Sequence, residues 1–380
     1  MQIAEWLHSL CFFDKYSKYT LFIKKSADFT MDVHRHFSRK ACAMKAVALT
    51  RYLPIDHPEA LLDVELPRPP AQGHDLLVRV EAVSVNPVDT KVRSPKDKVE
   101  SSPRVLGWDA AGVVEAVGPD VTLFQPGDAV YYAGDITRQG SNSEYQLVDE
   151  RIVGHKPASL DFAAAAALPL TAITAYEGLF ARLGLDSNGA DAGKSLLVIG
   201  GAGGVGSLVI QFAKLAGLTV IATAGRPHSA DWCRQLGADL VLDRHHPLIP
   251  VLTLHGHPQV DYIFNAADTD GYWETMGEAI RPQGRIVTIV ENRGPLAQDQ
   301  LKLKSATHVW EFMFTRPMYR TPDQIEQHHL LETVAGWIDS GRVKGTLSET
   351  WSPINAENLR RAHRLLESGS MVGKLVLQSW

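Results

Sequence analysis

Ser195-Leu-Leu-Val-Ile-Gly-Gly-Ala-Gly-Gly-Val-Gly206 is the stretch that decides the fold of this 380-residue chain. The run from Ser195 to Ile199 predicts a parallel strand that is buried on both faces. The glycines after it fit the spacing G-x-G-x-x-G. In a dinucleotide-binding turn the first glycine permits a tight bend, the second lets backbone approach a pyrophosphate, and the third lets the helix pack on the strand. The candidate cofactor-binding residues are therefore Gly201, Ala202, Gly203, Gly204, Val205 and Gly206.

A helix is predicted directly after the glycines, because apolar residues from Val205 to Ala216 recur at helical spacing. Gly217 stands where a C-terminal cap belongs, and a second strand is predicted from Leu218 to Thr223. The N-terminus of this helix would direct free N–H groups at an anion. Glycine clusters also form ordinary turns, but the order strand, glycines, helix, strand favours a nucleotide site.

The end of the second strand indicates which nucleotide is bound. A site for NAD usually places Asp or Glu about 20 residues beyond the first glycine, to bind the ribose 2′-hydroxyl. No acid precedes Asp231 in this region, whereas Arg226 offers a guanidinium group that suits a 2′-phosphate. Arg244 is a second candidate, and Thr223 lies beside the same site. Both arginines could instead be solvated loop residues. The pattern favours NADPH over NADH.

Composition excludes several classes of protein. The net charge of −5 and the absence of a basic run argue against a nucleic-acid partner. No apolar run approaches the length of a membrane span. Three widely separated cysteines, Cys11, Cys42 and Cys233, form neither a disulfide framework nor a four-cysteine zinc lobe. We expect a soluble cytoplasmic protein that acts on a small molecule.

Residues 1–43 differ from the remainder of the chain, since aromatic and basic residues mix there without a sustained period. A targeting peptide is one interpretation, although the segment also carries acidic residues, in which transit peptides are poor. The preferred interpretation is an extension upstream of a true start at Met44, outside the fold. From Met44 to about Val153 short strands alternate with turns rich in Pro and Gly, which predicts a partly closed β-barrel.

The chain resembles the medium-chain dehydrogenase/reductase superfamily, and within it the quinone oxidoreductase-like branch that lacks zinc. The resemblance runs from about Met44 to the C-terminus. It is carried by the glycine turn and by Ser84-Val-Asn-Pro-Val-Asp-Thr-Lys-Val-Arg93, Leu106-Gly-Trp-Asp-Ala-Ala-Gly-Val-Val114, Pro126-Gly-Asp-Ala-Val130, Ser143-Glu-Tyr145, Ala167-Leu-Pro-Leu-Thr-Ala-Ile-Thr-Ala-Tyr176 and Gly373-Lys-Leu-Val-Leu377.

The resemblance implies an α/β fold in which a Rossmann domain, a doubly wound parallel sheet, is inserted in a GroES-like β-barrel domain. The expected boundaries are 44–165 for the GroES-like domain, completed by 320–380, and 166–319 for the Rossmann domain. The cofactor would lie in the cleft between them. A homodimer is also implied, often formed through the edges of the Rossmann sheets, and Lys304 to Phe314 resembles the edge strand that pairs between subunits.

A zinc ion is not expected. Zinc-dependent members of the superfamily place Cys where this chain has the segment from Asn86 to Asp89, and Gly-His-Glu where it has Gly107-Trp108-Asp109. A catalytic zinc needs about three converging Cys, His or carboxylate ligands. Trp108 cannot be a ligand, and Asp89 and Asp109 alone do not form a zinc site. The histidine pairs, such as His245-His246, are interpreted as solvated or capping residues.

Without a metal to polarise a carbonyl group, an electron-poor hydride acceptor such as a quinone or an enone is favoured. The candidate catalytic residues are Asn86, Asp89 and Lys91; Lys91 could donate a hydrogen bond or proton, or be a solvated loop lysine. Resemblance places Thr171 near the nicotinamide ribose. Trp108 would form an apolar wall for a flat substrate, and Tyr131 is a weaker pocket candidate. The alternatives are an alcohol dehydrogenase with an atypical zinc site and a non-catalytic NADPH-binding protein.

Overall fold

Strand β9 (Ser195–Ile199) lies in the interior of a six-stranded parallel sheet, and all five of its residues are buried. Leu196 and Val198 belong to one hydrophobic cluster, whereas Leu197 and Ile199 belong to another. Because alternate side chains of a strand point to opposite faces, β9 is covered on both. The predicted burial of this strand is confirmed.

The structure is a computed structural model, and it describes residues 43–380. The extension expected at residues 1–43 therefore lies outside the described residues, apart from Ala43, which begins the first strand. In the part that is described, no helix is both long and apolar enough to cross a membrane.

The sheet around β9 has the doubly wound order. Its other strands are β10 (Thr219–Ala224), β11 (Leu240–Asp243), β12 (Val260–Asn265), β13 (Ile280–Thr288) and β14 (Thr307–Trp310). In space the order is β11-β10-β9-β12-β13-β14, which is 3-2-1-4-5-6 counted from β9, and every pair is parallel. The helices of this domain are α4 (Gly204–Leu215), α5 (Pro227–Gln235), α6 (Leu248–Leu254), α7 (Thr269–Ala279) and α8 (Asp299–Lys302). The predicted Rossmann fold is confirmed.

Two further sheets, mostly antiparallel, form the barrel domain. The strands are β1 (Ala43–Tyr52), β2 (Leu62–Pro67), β3 (Asp75–Ser84), β4 (Lys96–Val105), β5 (Ala110–Val117), β6 (Ala129–Tyr132), β7 (Tyr145–Asp149), β8 (Val153–His155), β15 (Leu347–Trp351) and β16 (Lys374–Gln378). One sheet has the order β2-β1-β4 and the other β15-β16-β3-β5-β6-β8, with β7 also paired to β3. The C-terminal strand β16 returns to this domain, where Val376 pairs with Ser84.

The remaining helices connect the two domains and cover the barrel. Two short helices lead into the Rossmann domain and continue into a π-helical segment, Glu177–Arg182. The helices are α1 (Pro87–Arg93), α2 (Phe162–Ala166), α3 (Pro169–Tyr176), α9 (Thr315–Tyr319), α10 (Glu326–Asp339) and α11 (Ala356–Glu367), with a 3-10 turn at Glu150–Ile152.

Two local features differ from the sequence-based interpretation: one of the two interpretations of Lys91 placed it on a loop, and one edge strand is shorter than expected. The segment that carries Lys91 is helix α1 and not a loop, because Asn86 is extended at the N-cap, Pro87 occupies the first helical position, and the Asp89 carboxylate accepts from the Asn86 backbone N–H at 2.6 Å. The edge strand expected from Lys304 to Phe314 is only the four residues of β14. Its ladder ends at Glu311, whose N–H donates to the Thr288 carbonyl before the chain turns into α9.

Candidate functional site

A cavity of about 300 Å³ lies at the carboxyl ends of β9, β12 and β13. Gly200, Ala266 and the segment 289–291 line it on the Rossmann side. Residues of α1, in the barrel domain, and of α3, which connects the two domains, close the opposite side. Ligands of open α/β sheets bind at this edge, at the point where the strand order reverses. The cavity therefore lies where a dinucleotide-binding domain is expected to hold its ligand.

The three glycines of the turn differ in the space around them. A Cβ atom on Gly206 would overlap the carbonyl oxygen of Gly200, and one on Gly201 would lie 2.8 Å from Cβ of Ala222. A Cβ atom on Gly203 would meet nothing closer than the Gly200 oxygen at 3.6 Å. Gly201 and Gly206 are thus required by packing within the protein, whereas Gly203 leaves open space on the cavity side. This is the arrangement expected where backbone approaches a pyrophosphate.

The same turn presents unpaired backbone donors. Helix α4 begins at Gly204, and the N–H groups of its first turn, Gly204 to Gly206, have no carbonyl of a preceding turn to bond. These three residues line the cavity. Thr223 supports the turn from behind, since its hydroxyl accepts from Gly200 N at 3.0 Å and its carbonyl from Gly201 N at 3.1 Å. The residues present fit the diphosphate of a dinucleotide.

The two arginines predicted to bind a 2′-phosphate lie close together at the end of β10. Both are exposed. The Arg226 guanidinium donates to the carbonyl of Ser370 at 2.5 Å, and the Arg244 side chain packs on Gly225, where a Cβ atom would overlap it. His245 joins them, with Nε2 lying 3.1 Å from the Gly225 carbonyl oxygen. This group offers positive charge beyond the end of the strand.

Asn86 belongs to a buried polar cluster beneath the cavity. Its Oδ1 accepts from Lys374 Nζ at 2.5 Å, and its Nδ2 donates to the Asp109 carboxylate at 2.8 Å. Lys374 also donates to Asp109 at 2.9 Å and to the Val85 carbonyl at 2.9 Å. The other carboxylate oxygen of Asp109 accepts from Leu170 N at 2.7 Å. Both ends of the Asn86 amide are therefore hydrogen-bonded within the protein. This side chain supports the floor of the cavity and is not free to donate to a ligand.

The cluster is tied to the glycine turn through the C-terminal strand. Gly373 N donates to the Ala202 carbonyl at 3.0 Å, and a Cβ atom on Gly204 would lie 2.9 Å from Cδ of Lys374. The Lys374 stem thus packs against the first residue of α4. The cofactor turn and the floor of the cavity are held by the same strand, although they lie in different domains.

Asp89 and Trp108 lie behind this floor and do not line the cavity. Burial raises the pKa of Asp89 to about 7, and its Oδ1 has no hydrogen-bond partner among the described residues. Burial also raises the pKa of Asp109, which the ammonium of Lys374 opposes. Trp108 is completely buried and contacts Phe314 edge-on at 6.1 Å between ring centroids. It supports an aromatic residue of the cavity wall instead of forming the wall itself.

The donor set at this site does not fit a zinc ion. Asp109 already accepts from Lys374, Asn86 and Leu170, and the indole of Trp108 offers no lone pair to a metal. Among residues 43–380 no three His, Cys, Asp or Glu side chains are grouped so that they could hold a metal. A tetrahedral zinc site needs such a group.

Lys91 lies at the rim of the cavity. It is half-exposed on α1, and its ammonium pairs with the Glu291 carboxylate beyond β13 at 2.5 Å. Both residues line the cavity, as does Val290. The ion pair therefore joins the barrel and Rossmann domains across the opening. Because both side chains reach solvent, the pair is weak enough to exchange for a ligand.

The other predicted site residues divide between the cavity and the core. Thr171 lines the cavity, with its hydroxyl donating to the Leu168 carbonyl at 2.9 Å. Tyr131 is completely buried in the barrel, where its hydroxyl donates to the Leu331 carbonyl at 2.6 Å. That hydrogen bond satisfies the phenol inside the core, so Tyr131 is not part of the cavity wall.

Two parts of the site were not identified from the sequence. The segment from Glu311 to Phe314 resembles an edge strand and was not expected to line the cavity. Lys374 was noted only as part of the family resemblance, with no role assigned to its side chain. The sequence does contain a signal at Lys374, because this lysine stands between a glycine and the apolar run Leu-Val-Leu. A charged side chain that is buried with such a strand needs a partner. Nothing in the sequence near Glu311 indicates its partners, because Glu177 and Arg182 lie more than a hundred positions earlier.

Comparison with known proteins gives two family matches. Residues 72–166 match the alcohol dehydrogenase GroES-like domain, and residues 236–377 match a family described as zinc-binding dehydrogenase. A zinc-type alcohol dehydrogenase-like protein of Staphylococcus aureus (strain COL) is 48% identical over 335 residues, which is 88% of this chain and 99% of that protein.

More distant relatives carry more specific names. The chloroplastic NADPH-dependent alkenal/one oxidoreductase of Arabidopsis thaliana is 33% identical, over 81% of this chain and 73% of that protein. Among solved structures, a protein of Rhizobium etli CFN 42 assigned to the zinc-dependent alcohol dehydrogenases is 48% identical with a TM-score of 0.85, covering 89% of this chain and 98% of that one. A quinone oxidoreductase of Pseudomonas syringae pv. Tomato DC3000 is 26% identical with a TM-score of 0.73, covering 88% and 99%.

Proposed function

This chain belongs to the medium-chain dehydrogenase/reductase superfamily, and we propose that within this superfamily of oxidoreductases it is an NADPH-dependent reductase of quinones or α,β-unsaturated carbonyl compounds. One observation carries the proposal. The open position at Gly203 and the apolar side chains of Val88, Leu170 and Phe312 face a single cavity. The cofactor and an uncharged, flat acceptor would therefore share one space. The names of the Arabidopsis and Pseudomonas relatives support this class of substrate.

NADPH, when bound, supplies the hydride. The chain would hold it with the N–H groups of Gly204 to Gly206 at the diphosphate and with Arg226 and Arg244 at the 2′-phosphate. The apolar wall excludes water and orients the acceptor. Lys91 is the cation at the rim that could donate a hydrogen bond or a proton to the acceptor oxygen as negative charge develops there. Its pairing with Glu291 holds it at the opening.

The reaction is proposed to need no zinc. The support comes from the donor set, in which Trp108 offers no ligand and Asp109 is already bonded to Lys374. A quinone or an enone is electron-poor before it binds, so it needs less help from a Lewis acid than an alcohol or aldehyde does.

The proposal is tested by turnover of a panel of quinones, enones, aldehydes and alcohols, together with metal analysis of the same purified protein. We expect NADPH oxidation with quinones or enones at a rate independent of zinc content. Activity confined to alcohols and proportional to bound zinc would establish the alternative of an atypical zinc site. Tight NADPH binding with no oxidation across the panel would establish a non-catalytic binding protein.

Arg226→Ala is expected to lower the preference for NADPH over NADH by about ten- to a hundredfold. This is the range for loss of a hydrogen bond to a charged group. The measurement is the ratio of the two dissociation constants from fluorescence titration. Arg234→Ala is a matched control, because Arg234 lies on helix α5, which Arg226 precedes as the N-cap residue, and pairs at the surface with Asp231. An unchanged ratio in Arg226→Ala would remove Arg226 from the phosphate site.

A homodimer in the cytoplasm remains part of the proposal. Strand β14 is the last strand in the order of the parallel sheet. Trp310 and Phe312, at and just beyond the end of this strand, are 45% and 41% exposed. Large apolar side chains beside a strand edge suit pairing with a second copy.

A further inference from the structure

Residues 311–314 form one wall of the cavity, and we call this segment the 311–314 wall. Met313 and Phe314 are buried, and Phe312 is partly exposed. The segment leaves strand β14 after its last ladder residue, and backbone hydrogen bonds join it to β13 at Glu311 and to helix α9 at Phe312 and Phe314. The Met313 carbonyl between these points is bonded by the side chain of Gln327, so the middle of the wall depends on the groups beside it.

The carboxyl group of Glu311, the first residue of this wall, and the carboxyl group of Glu177 are both buried. Glu311 accepts from Arg182 Nε at 2.8 Å through Oε2, and Glu177 accepts from Arg316 Nη1 at 2.6 Å through Oε1. The remaining oxygens, Glu311 Oε1 and Glu177 Oε2, have no hydrogen-bond partner among the described residues. The side chains of both glutamates are at most 1% exposed. Two buried carboxyl groups that each leave one oxygen unpaired are the arrangement that one shared proton would satisfy.

The charges around Glu177 and Glu311 favour one bound proton. Arg182 contacts Glu311, and Arg316 contacts both Glu177 and Asp323, so three carboxyl groups face two guanidinium groups. If all three carboxyl groups were ionised, one negative charge would have no cation, and a proton on the buried pair would remove that charge. Burial raises the pKa of Glu311 to about 8, assisted by the negative charge of Glu177 and opposed by Arg182.

The same network holds the wall at two points. Gln327, on α10, donates through Nε2 to both Glu177 Oε1 at 3.1 Å and the Met313 carbonyl at 2.6 Å. The Glu311 N–H donates to the Thr288 carbonyl at 3.0 Å. The nearest titratable group on β14 is His308, whose Nε2 forms a hydrogen bond with Thr288 Oγ1 at 2.9 Å. A displacement of either glutamate would therefore be transmitted to the wall.

We propose that Glu177 and Glu311 share one proton, and that this proton holds the 311–314 wall in place against the hydride acceptor. The two glutamates are positioning residues, because their carboxyl groups are buried among Arg182, Arg316 and Gln327 and act on the acceptor through the wall. The inference rests on the proposed function only in naming the bound molecule as an apolar acceptor.

The consequence is a dependence of acceptor binding on pH. When the shared proton is lost, two carboxylates face each other in a buried site and repel, so the wall loses its anchor. KM for an apolar quinone should rise on the order of tenfold between about pH 7 and about pH 9.5, the factor that corresponds to about 1.4 kcal/mol. The dissociation constant for NADPH should change little, because the glycine turn is held by Thr223 and Gly373 and not by the carboxyl network.

Glu311→Gln tests the proposal, since the amide imitates the protonated acid. Its N–H can donate to Glu177 while its oxygen accepts from Arg182. We expect the variant to keep the low KM at about pH 9.5, with less than a twofold change across the range. Glu326→Gln is the matched control, because Glu326 is an exposed glutamate next to Gln327 whose carboxylate, among the described residues, bonds only His329. It should keep the pH dependence of the wild type. A pH dependence that survives in Glu311→Gln would overturn the proposal.

Two readouts do not need turnover. Infrared difference spectra between wild type and Glu311→Gln should show a protonated carboxyl band at about pH 7 that disappears near pH 8, the pKa of Glu311. Quenching of tryptophan fluorescence by 2-methyl-1,4-naphthoquinone should report the same pH-dependent affinity without NADPH. If these signals appear and no acceptor is reduced, the proposed function fails and this inference stands. A wild type without the carboxyl band at about pH 7 would refute the inference, whatever the activity.

Discussion

Gly203→Ala is expected to remove most NADPH binding while the protein stays folded. The added Cβ would meet no protein atom closer than 3.6 Å, and the backbone at Gly203 (φ −73°) suits alanine. The methyl group would instead occupy the space in which a diphosphate approaches the backbone. We expect affinity for NADPH to fall at least about tenfold, or ~1.4 kcal/mol. The free energy of unfolding should change by less than about 1 kcal/mol, because the loss of a glycine N-cap and the gain in chain stiffness oppose each other.

Two other glycines provide the controls for this prediction. Gly206→Ala should lower the free energy of unfolding, because its Cβ would overlap the Gly200 carbonyl oxygen. Gly336→Ala, in an open and exposed position within α10, should leave NADPH binding unchanged and raise the free energy of unfolding by about 0.5–1 kcal/mol, because alanine is the better helix former. Calorimetric titration with NADPH and chemical denaturation of the three variants measure both quantities. Wild-type affinity in Gly203→Ala would show that the diphosphate does not dock at this turn.

Lys374→Met is expected to produce the largest loss of stability, about 3–5 kcal/mol. The Lys374 ammonium is buried and bonded to three oxygens, those of Val85, Asn86 and Asp109. Methionine retains most of the packing against Gly204 but leaves the Asp109 carboxylate buried without a cation. The double variant Lys374→Met/Asp109→Asn removes that charge and should recover more than half of the loss.

Urea denaturation measures these changes, and Lys344→Met is the control. Lys344 is exposed, and its ammonium contacts only the Gln235 carbonyl at 3.3 Å, so its replacement should cost less than about 1 kcal/mol. If Lys374→Met unfolds as the wild type does, or if the double variant recovers nothing, then the buried cluster does not stabilise the junction of the two domains.

The features that could be predicted from sequence are those whose signal is local. Strand β9, the turn at Gly201 to Gly206 and helix α4 follow one another directly in the sequence. The hydrophobic periodicity and the spacing of the glycines are therefore sufficient to predict them. Strand β4 could not be predicted, because it is rich in charged and polar residues and most of its side chains are exposed. The sequence of helix α1 also suits a loop, because Asn86 and Pro87 are typical of turns as well as of helix starts.

The parts of the site that could not be predicted depend on contacts between distant residues. Lys374 lies 288 positions from Asn86 and 265 from Asp109, and only the fold brings them together. The same holds for Glu311 and Arg182, which are 129 positions apart. The chemistry of Trp108 and Tyr131 suits a pocket, yet the barrel core buries both. Residue type indicates what a side chain can do, but burial decides whether it reaches the cavity.

The proposed function requires that the cavity bring NADPH and an electron-poor acceptor together without a metal. The decisive experiment uses NADPH deuterated at both C4 positions, an α,β-unsaturated ketone, and protein whose zinc content is determined in the same sample. We predict a saturated ketone with one deuterium at the β-carbon, formed at the same rate by protein treated with a chelator. A product without deuterium, or a rate that rises and falls with the zinc content, would contradict the proposed function.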